Sequence, residues 1–278
     1  MTAPPAEVTR IEINLLLEAL YQRYGYDFRD YAREAVERRI AQFQNDSGLH
    51  SLSEVTGRVL RESALFYQLV HYFSVNVTAL FRDPSVYAAL RAKVLPMLRT
   101  WPHVKLWDAG CATGEEVYSI AILLHEEGLY ERATLYATDI SAAALETAKG
   151  GVYPLDILLR GSKNYLESGA QSSLSDYYHA LYNAAAIDAR LRKNITFARH
   201  NLAMDKSFGE MQLILCRNVL IYFNSALQDQ VLEMFWDSLD NGGFLCLGQN
   251  ESLSFTSVAN RFDVVDERAR IYKKRSVR

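Results

Sequence analysis

LWDAGCATGEEVYSIAILL, residues 106–124, runs from an apolar segment into an acid, through two glycines and two glutamates, and into apolar residues at helical spacing. That is the pattern of strand, tight turn and helix. Asp108 stands at the strand's end, where open parallel sheets hold their ligands. Gly110 and Gly114 let the backbone turn sharply and approach a ligand closely. The helix beginning near Glu115 leaves amide hydrogens free. A phosphate would suit that end. However, the spacing is not G-x-G-x-x-G, and Glu115 and Glu116 stand where phosphates would sit. Two carboxylates favour a ligand with positive charge, or one with amine and hydroxyl donors. S-adenosylmethionine has an ammonium, a ribose and a sulfonium, and no phosphate. Asp139 ends the next strand, about thirty residues after Asp108, where nucleoside-binding folds place an acid for ribose hydroxyls. The plainer reading is that both acids cap the following helices. Asn201 ends ITFARHN and is either a contact for an adenine edge or a turn residue.

Outward from this turn the chain has two rhythms. From about Ile11 to Leu98 it reads as helices. IEINLLLEALYQRYG and DYAREAVERRIAQFQNDSG space their apolar residues at three and four and end on Gly25 and NDSG. SLSEVTGRVLRESALFYQLVHYF reads as another helical piece, with Ser51 as its cap and Glu54 three residues on. Pro84 suits the first turn of a further helix. After RTWPH, strands and helices alternate: VKLWDA, EEVYSIAILLHEEG, ATLYATDI, SAAALETAKGG, ITFARHNL, MQLILCRNV, SALQDQVLEMFWDSL and GGFLCLG. This alternation predicts an α/β fold around a parallel sheet covered on both faces. The tail RFDVVDERARIYKKR reads as an antiparallel hairpin at a sheet edge. Residues 151–192 break the alternation. A plain loop that long is out of place in a compact domain, so an insertion with its own small structure is expected beside the ligand crevice. The expected division is a helical domain over 1–85 and a second domain over 86–278 that contains the insertion.

Composition narrows the class. The chain has 278 residues and a net charge of -3, with 49% hydrophobic and 23% charged residues. It is not a polycation built to hold nucleic acid. No apolar run is long enough to span a bilayer, and the N-terminus lacks the pattern of a secretion signal. The three cysteines, Cys111, Cys216 and Cys246, are widely spaced, without C-x-x-C. They fit a reducing cytosol better than a disulfide framework, and neither they nor the six scattered histidines suggest a metal site.

SVNVTALFRD, GCATGEEVYSIAI, ATDIS, RHNL and CRNVLIYF occur in this order over most of the chain, and together they resemble the chemotaxis-receptor glutamate methyltransferases of the CheR type. The resemblance implies a Rossmann-like S-adenosylmethionine-dependent methyltransferase domain, an N-terminal helical domain and a small inserted β-subdomain. It implies methyl transfer from S-adenosylmethionine to receptor glutamates, giving glutamyl methyl esters and S-adenosylhomocysteine. By the same resemblance, Asn76, Thr78 and Arg82 close over the methionine part, and Glu116 takes the ammonium. Asp139 holds the ribose, Asn201 and Leu202 lie on the adenine side, and Arg217 and Asn218 form the rim near the methyl. Gly110 belongs to the cofactor turn. Arg82, Arg217 and Tyr222 are the expected catalytic residues, with Arg217 and Tyr222 orienting the target carboxylate. Arg82 could instead pair with a nearby acid, and Tyr222, between Ile221 and Phe223, could belong to the core.

The chemistry needs little acid–base work, because a glutamate is already ionised at neutral pH. Positioning and desolvation carry the demand. The implied partner is the receptor's cytoplasmic helical domain, met by a basic face formed by Arg33, Arg38 and Arg39; a solvated mixed face is the alternative. Val117 stands where the family often has proline, and LGQNESL replaces the usual GHSE, which puts the role of that loop in doubt. In some relatives the insertion grips a receptor C-terminal peptide by strand addition, and LSDYYHALYNAAAID could be partly helical. A base-methylating enzyme would carry an N-P-P-Y type motif where this chain has CRNVLIYF. A nicotinamide dehydrogenase has the wrong glycine spacing. A regulatory protein that binds the cofactor without transferring methyl is the remaining alternative.

Overall fold

The computed structural model describes residues 5–74, 78–207 and 209–276. Four helices come first: α1 (Pro5–Tyr24), α2 (Arg33–Asp46), α3 (Leu52–Val59) and α4 (Ser63–Phe73). Leu16, Leu20, Ile40, Phe43, Phe66 and Leu69 are among the side chains closing a core of their own. Segment 51–73, read from the sequence as one piece, is two helices. The break at Leu60–Glu62 lets α3 pack on α1 while α4 packs on α2. Ser51 caps α3 by accepting from the Glu54 amide at 3.1 Å. The Glu54 carboxylate reaches back to the His50 amide at 2.8 Å, one residue beyond the usual capping box.

The core changes before the expected boundary at residue 85, because Leu80 and Phe81 already pack with the sheet. α5 (Pro84–Ala89) starts on Pro84 and passes through a π-helical stretch, Leu90–Val94, into α6 (Leu95–Leu98). Pro96 has no amide to return to the carbonyl four residues back, and the wider turn absorbs the loss. Then follow β1 (Val104–Ala109), α7 (Glu115–Glu126), β2 (Ala133–Asp139) and α8 (Ala142–Gly150). The insertion contains β3 (Val152–Pro154), α9 (Leu155–Glu167), β4 (Tyr178–Leu181) and β5 (Ala184–Ile187). The chain closes with β6 (Ile195–Arg199), β7 (Met211–Cys216), α10 (Ser225–Ser238), β8 (Leu239–Leu247), β9 (Phe262–Asp266) and β10 (Ile271–Lys274).

The main sheet has the order β6-β2-β1-β7-β8-β10-β9. Its first five strands are parallel; β10 and β9 add antiparallel at one edge, as the tail predicted. Every residue of β7 is buried, which explains its unbroken apolar run. The strand order reverses between β1 and β7, and a crevice opens there at the strands' carboxyl ends.

The insertion forms a separate antiparallel sheet of order β3-β5-β4. Its one α-helix, α9, comes before LSDYYHALYNAAAID; that segment is helical only over a 3-10 turn, Leu174–Tyr177, and then forms the β4–β5 hairpin. None of the described residues 151–192 lines the crevice, contrary to the expectation. The insertion braces the glycine turn from behind, through the Tyr153 hydroxyl on the Thr113 carbonyl at 2.7 Å.

Candidate active site

A cavity of about 360 Å³ fills the crevice. Its floor is made by the chain leaving β1, β2, β6 and β7, and its roof by Phe28, Tyr31, Phe73, Ser74 and Thr78. Every expected site residue in the described part lines it: Thr78, Arg82, Gly110, Glu116, Asp139, Asn201, Leu202, Arg217, Asn218 and Tyr222. Asn76 lies outside the described residues.

The turn after β1 is held by the end of β2. The Thr138 carbonyl accepts from the amides of Gly110 and Cys111, and Asp139 Oδ2 accepts from Ala112 at 2.9 Å. Asp139 Oδ1 accepts from Ser141 at 2.8 Å. Asp139 is not the helix cap of the plainer reading, since Ser141 caps α8 by accepting from the Ala144 amide; Asp139 instead ties the turn after β1 to the turn before α8. Each carboxylate oxygen still keeps lone-pair capacity toward the cavity. Burial raises the Asp139 pKa, and the amide hydrogen bonds oppose it. Asn201 is a turn residue by its Oδ1, which accepts from Ala203 at 3.0 Å, and a cavity residue by position.

Two expectations about the turn need correction. Glu115 does not face the ligand: it is buried beside Thr113, whose hydroxyl donates to it at 2.6 Å, and only Glu116 lines the cavity. Successive residues on a helix point about 100° apart, so adjacent glutamates cannot share one target. Gly114 also serves packing rather than ligand approach, because a Cβ there would lie 2.8 Å from Ala148 Cβ. Gly110 combines a φ of 91° with a would-be Cβ 2.5 Å from Val219 Cγ2, so its absent side chain makes room for the turn after β7.

Arg217 is the most constrained charge in the site, with a side chain 1% exposed. It donates to Glu116 Oε2 at 2.5 Å, to Asp83 Oδ2 at 2.7 Å and to the Arg82 carbonyl at 3.0 Å. Only its Nε lacks a partner among the described residues, and that atom is buried. Burial works against its charge, but Glu116, Tyr87 and Asp83 outweigh it and raise its pKa. The terminal nitrogens are thus committed to Glu116, Asp83 and the Arg82 carbonyl, although Arg217 still lines the cavity. The sequence could not show this, since Asp83 meets Arg217 only through the fold. Behind it, Asp108 is buried with Oδ2 unpartnered. Burial, then Glu116 and Asp139, raise its pKa well above the carboxylate range.

The basic face expected on α2 does not form. Val36, Ile40 and Phe43 are its buried stripe; at about 3.6 residues per turn, Arg33 and Arg39 flank that stripe on opposite sides and Arg38 points away. Arg33 is also taken by Glu37 and Asn14, each at 2.6 Å.

The roof aromatics Phe28 and Tyr31, in the connection between α1 and α2, and Phe73, at the end of α4, carry no motif, and only the fold brings them over the crevice. Tyr31 packs edge-on against Phe223 with centroids 4.9 Å apart. Cys111 lines the cavity, yet burial raises its thiol pKa and keeps it neutral, in line with a small buried residue. Among the described residues, no group of His, Cys, Asp and Glu could hold a metal ion, and no helix is long and apolar enough to cross a membrane.

A family model described as CheR methyltransferase, SAM binding domain, matches residues 76–271; another, CheR methyltransferase, all-alpha domain, matches residues 11–74. Cher3 of Pseudomonas putida, whose name describes a methyltransferase, is 47% identical over 266 residues, covering 96% of this chain and 97% of its own. Chemotaxis protein methyltransferase 1 of Vibrio cholerae is 31% identical over 261 residues, 88% of this chain and 90% of its own. A Rhodobacter capsulatus protein of 104.1 kDa is 31% identical over 277 residues, 97% of this chain but 28% of its own length. Among solved structures, magnesium protoporphyrin IX methyltransferase from Synechocystis with bound SAH covers 59% of this chain and 54% of its own, at 18% identity and a TM-score of 0.34.

Proposed function

The chain belongs to the CheR methyltransferase family, whose cofactor is S-adenosylmethionine, and we propose that it methylates glutamate side chains on the cytoplasmic helices of chemoreceptors. The observation that carries this reading is that Glu116 and Asp139 face one cavity whose wall also includes Arg82 and Tyr222. The lining fits the cofactor: a carboxylate for an ammonium and an acid for ribose hydroxyls.

When bound, S-adenosylmethionine supplies a methyl on a sulfonium that leaves as a neutral thioether. Glu116 receives the ammonium, and Arg217 with Asp83 keeps that carboxylate in place. Asp139 accepts from the ribose, Asn201 and Leu202 line the nucleoside side, and Asn218 lies at the rim near the methyl. With Arg217 committed to two acids, Arg82 and Tyr222 orient the incoming glutamate. One oxygen is held and the other attacks in line with the methyl. The target is already ionised, so no residue has to take a proton. The roof of Phe28, Tyr31 and Phe73 keeps water from the reacting carboxylate.

The test supplies tritiated methyl on the cofactor together with receptor-bearing membranes from a strain lacking its own methyltransferases. Base-labile radioactive methanol is the expected product. Tyr222→Phe should lower kcat/KM about ten- to a hundredfold, the worth of a hydrogen bond to a charged group. Tight S-adenosylhomocysteine binding without any base-labile methyl would overturn the reading in favour of a cofactor-binding regulator.

A further inference from the structure

The segment LGQNESL after β8, which departs from the family pattern, holds a buried acid outside the cavity lining. Glu251 is 5% exposed. Its Oε2 accepts from the Gly248 amide at 2.6 Å and from the Asn218 amide at 3.0 Å. Its Oε1 accepts from the Ile221 amide at 3.3 Å. One carboxylate therefore ties the end of β8 to the turn that carries Arg217, Asn218 and Tyr222. Asn218 has a φ of 61°, in the left-handed region that asparagine takes more readily than most residues, and its amide is fixed there by Glu251. Gly248 leaves the space: a Cβ there would lie 2.6 Å from Glu251 Oε2 and 2.7 Å from the Asn218 nitrogen.

We infer that Glu251 is a positioning residue for methyl transfer, holding the turn 217–222 in the shape that takes the cofactor. It touches neither ligand nor reacting atoms; it acts by receiving the amides of that turn. A carboxylate suits the task because each oxygen accepts more than one hydrogen bond. An amide at this place would offer one good acceptor and set its NH₂ group against a donor. The inference rests on the proposed reading of the cavity, in which this turn meets the amino-acid part of the cofactor and Asp139 meets the ribose.

The test titrates the full-length protein and its Glu251→Ala, Glu251→Gln and Gly248→Ala variants with S-adenosylhomocysteine and, by competition, with adenosine. Glu251→Ala should weaken S-adenosylhomocysteine about ten- to a hundredfold, as lost hydrogen bonds to a charged group do, and adenosine less than about threefold. Glu251→Gln should recover part of the loss, and Gly248→Ala should reproduce it with the acid still present. If Glu251→Ala does not fold, the other two variants decide. Equal losses for both ligands would show a merely structural residue and overturn the inference, as would unchanged S-adenosylhomocysteine affinity. A wild-type protein that binds neither ligand would instead overturn the reading of the cavity on which the inference stands.

Discussion

Arg217 links two acids that the chain keeps far apart, and its removal leaves both without their cation. Breaking such a buried pair costs about 3–5 kcal/mol, so Arg217→Met should lose stability of that order in urea melts. Arg217→Lys retains the charge but not the fork that spans Glu116, Asp83 and a carbonyl, and should recover only part of it. Asp108 lies next to this pair and has the opposite problem, a carboxyl without enough compensation. Its pKa is raised in the fold by burial, Glu116 and Asp139. The folded state then holds a proton that the unfolded chain releases, so stability falls as pH rises from the ordinary carboxylate range through the folded pKa. Each unit of separation removes about 1.4 kcal/mol. Glu115, Asp139 and Glu251 are shifted the same way. Asp108→Asn should therefore melt higher than the wild type at pH 8 and lose less between pH 5 and pH 8.

At the scale of the elements, the turn between β1 and α7 depends on its neighbours. Gly110→Ala would force a Cβ into Val219 and strain a φ of 91°. Overpacking costs about 1–3 kcal/mol. The melting temperature should drop, and Val219→Ala in the same chain should restore only the packing share. The insertion is pinned by one acid at the end of α7. Glu126 accepts from the Tyr165 hydroxyl, from Ser172 at 3.2 Å and Tyr177 at 3.2 Å, while its other oxygen meets Arg91 at 2.7 Å. Glu126→Ala should destabilise by about 2–4 kcal/mol, since the hydroxyls of two buried tyrosines, Tyr165 and Tyr177, lose their acceptor at once. Limited proteolysis should then cut first near Gly169–Ser172.

For the whole molecule, the decisive contact is between the helical part and the sheet. The Ala32 amide donates to the Tyr222 carbonyl at 2.7 Å, and the Asn224 amide to the Asp30 carbonyl at 2.9 Å. Asn224 Nδ2 also donates to Asp30 Oδ1 at 3.0 Å. The segment before α2 therefore closes the cavity over the turn after β7. A ligand held between both parts stabilises them together, by about 2.7 kcal/mol at a hundredfold excess over Kd. S-adenosylhomocysteine should raise the melting temperature of the wild type, and Tyr31→Ala, which opens the roof, should reduce that rise. A calorimetric scan with and without the ligand checks this.

Periodicity alone was enough to expose the alternating half, the edge hairpin and the glycine turn, because strand and helix periods are local properties of the chain. The motifs likewise marked the described cofactor-set residues that line the cavity; Gly110, Asp139, Asn201, Leu202, Arg217 and Asn218 follow or end strands, Glu116 opens α7, and Thr78 and Arg82 lie ahead of α5. What the chain could not show in one dimension is which groups satisfy one another. Arg217 looked available for a substrate until folding set Asp83 and Glu116 against it. Glu115 and Glu116 looked alike until the helix turned one inward. Glu251 looked like loop variation until its carboxylate met three amides from two elements. The Arg217 and Glu251 contacts join residues distant in sequence, and only the tertiary structure, by burying polar groups that then require partners, decides them.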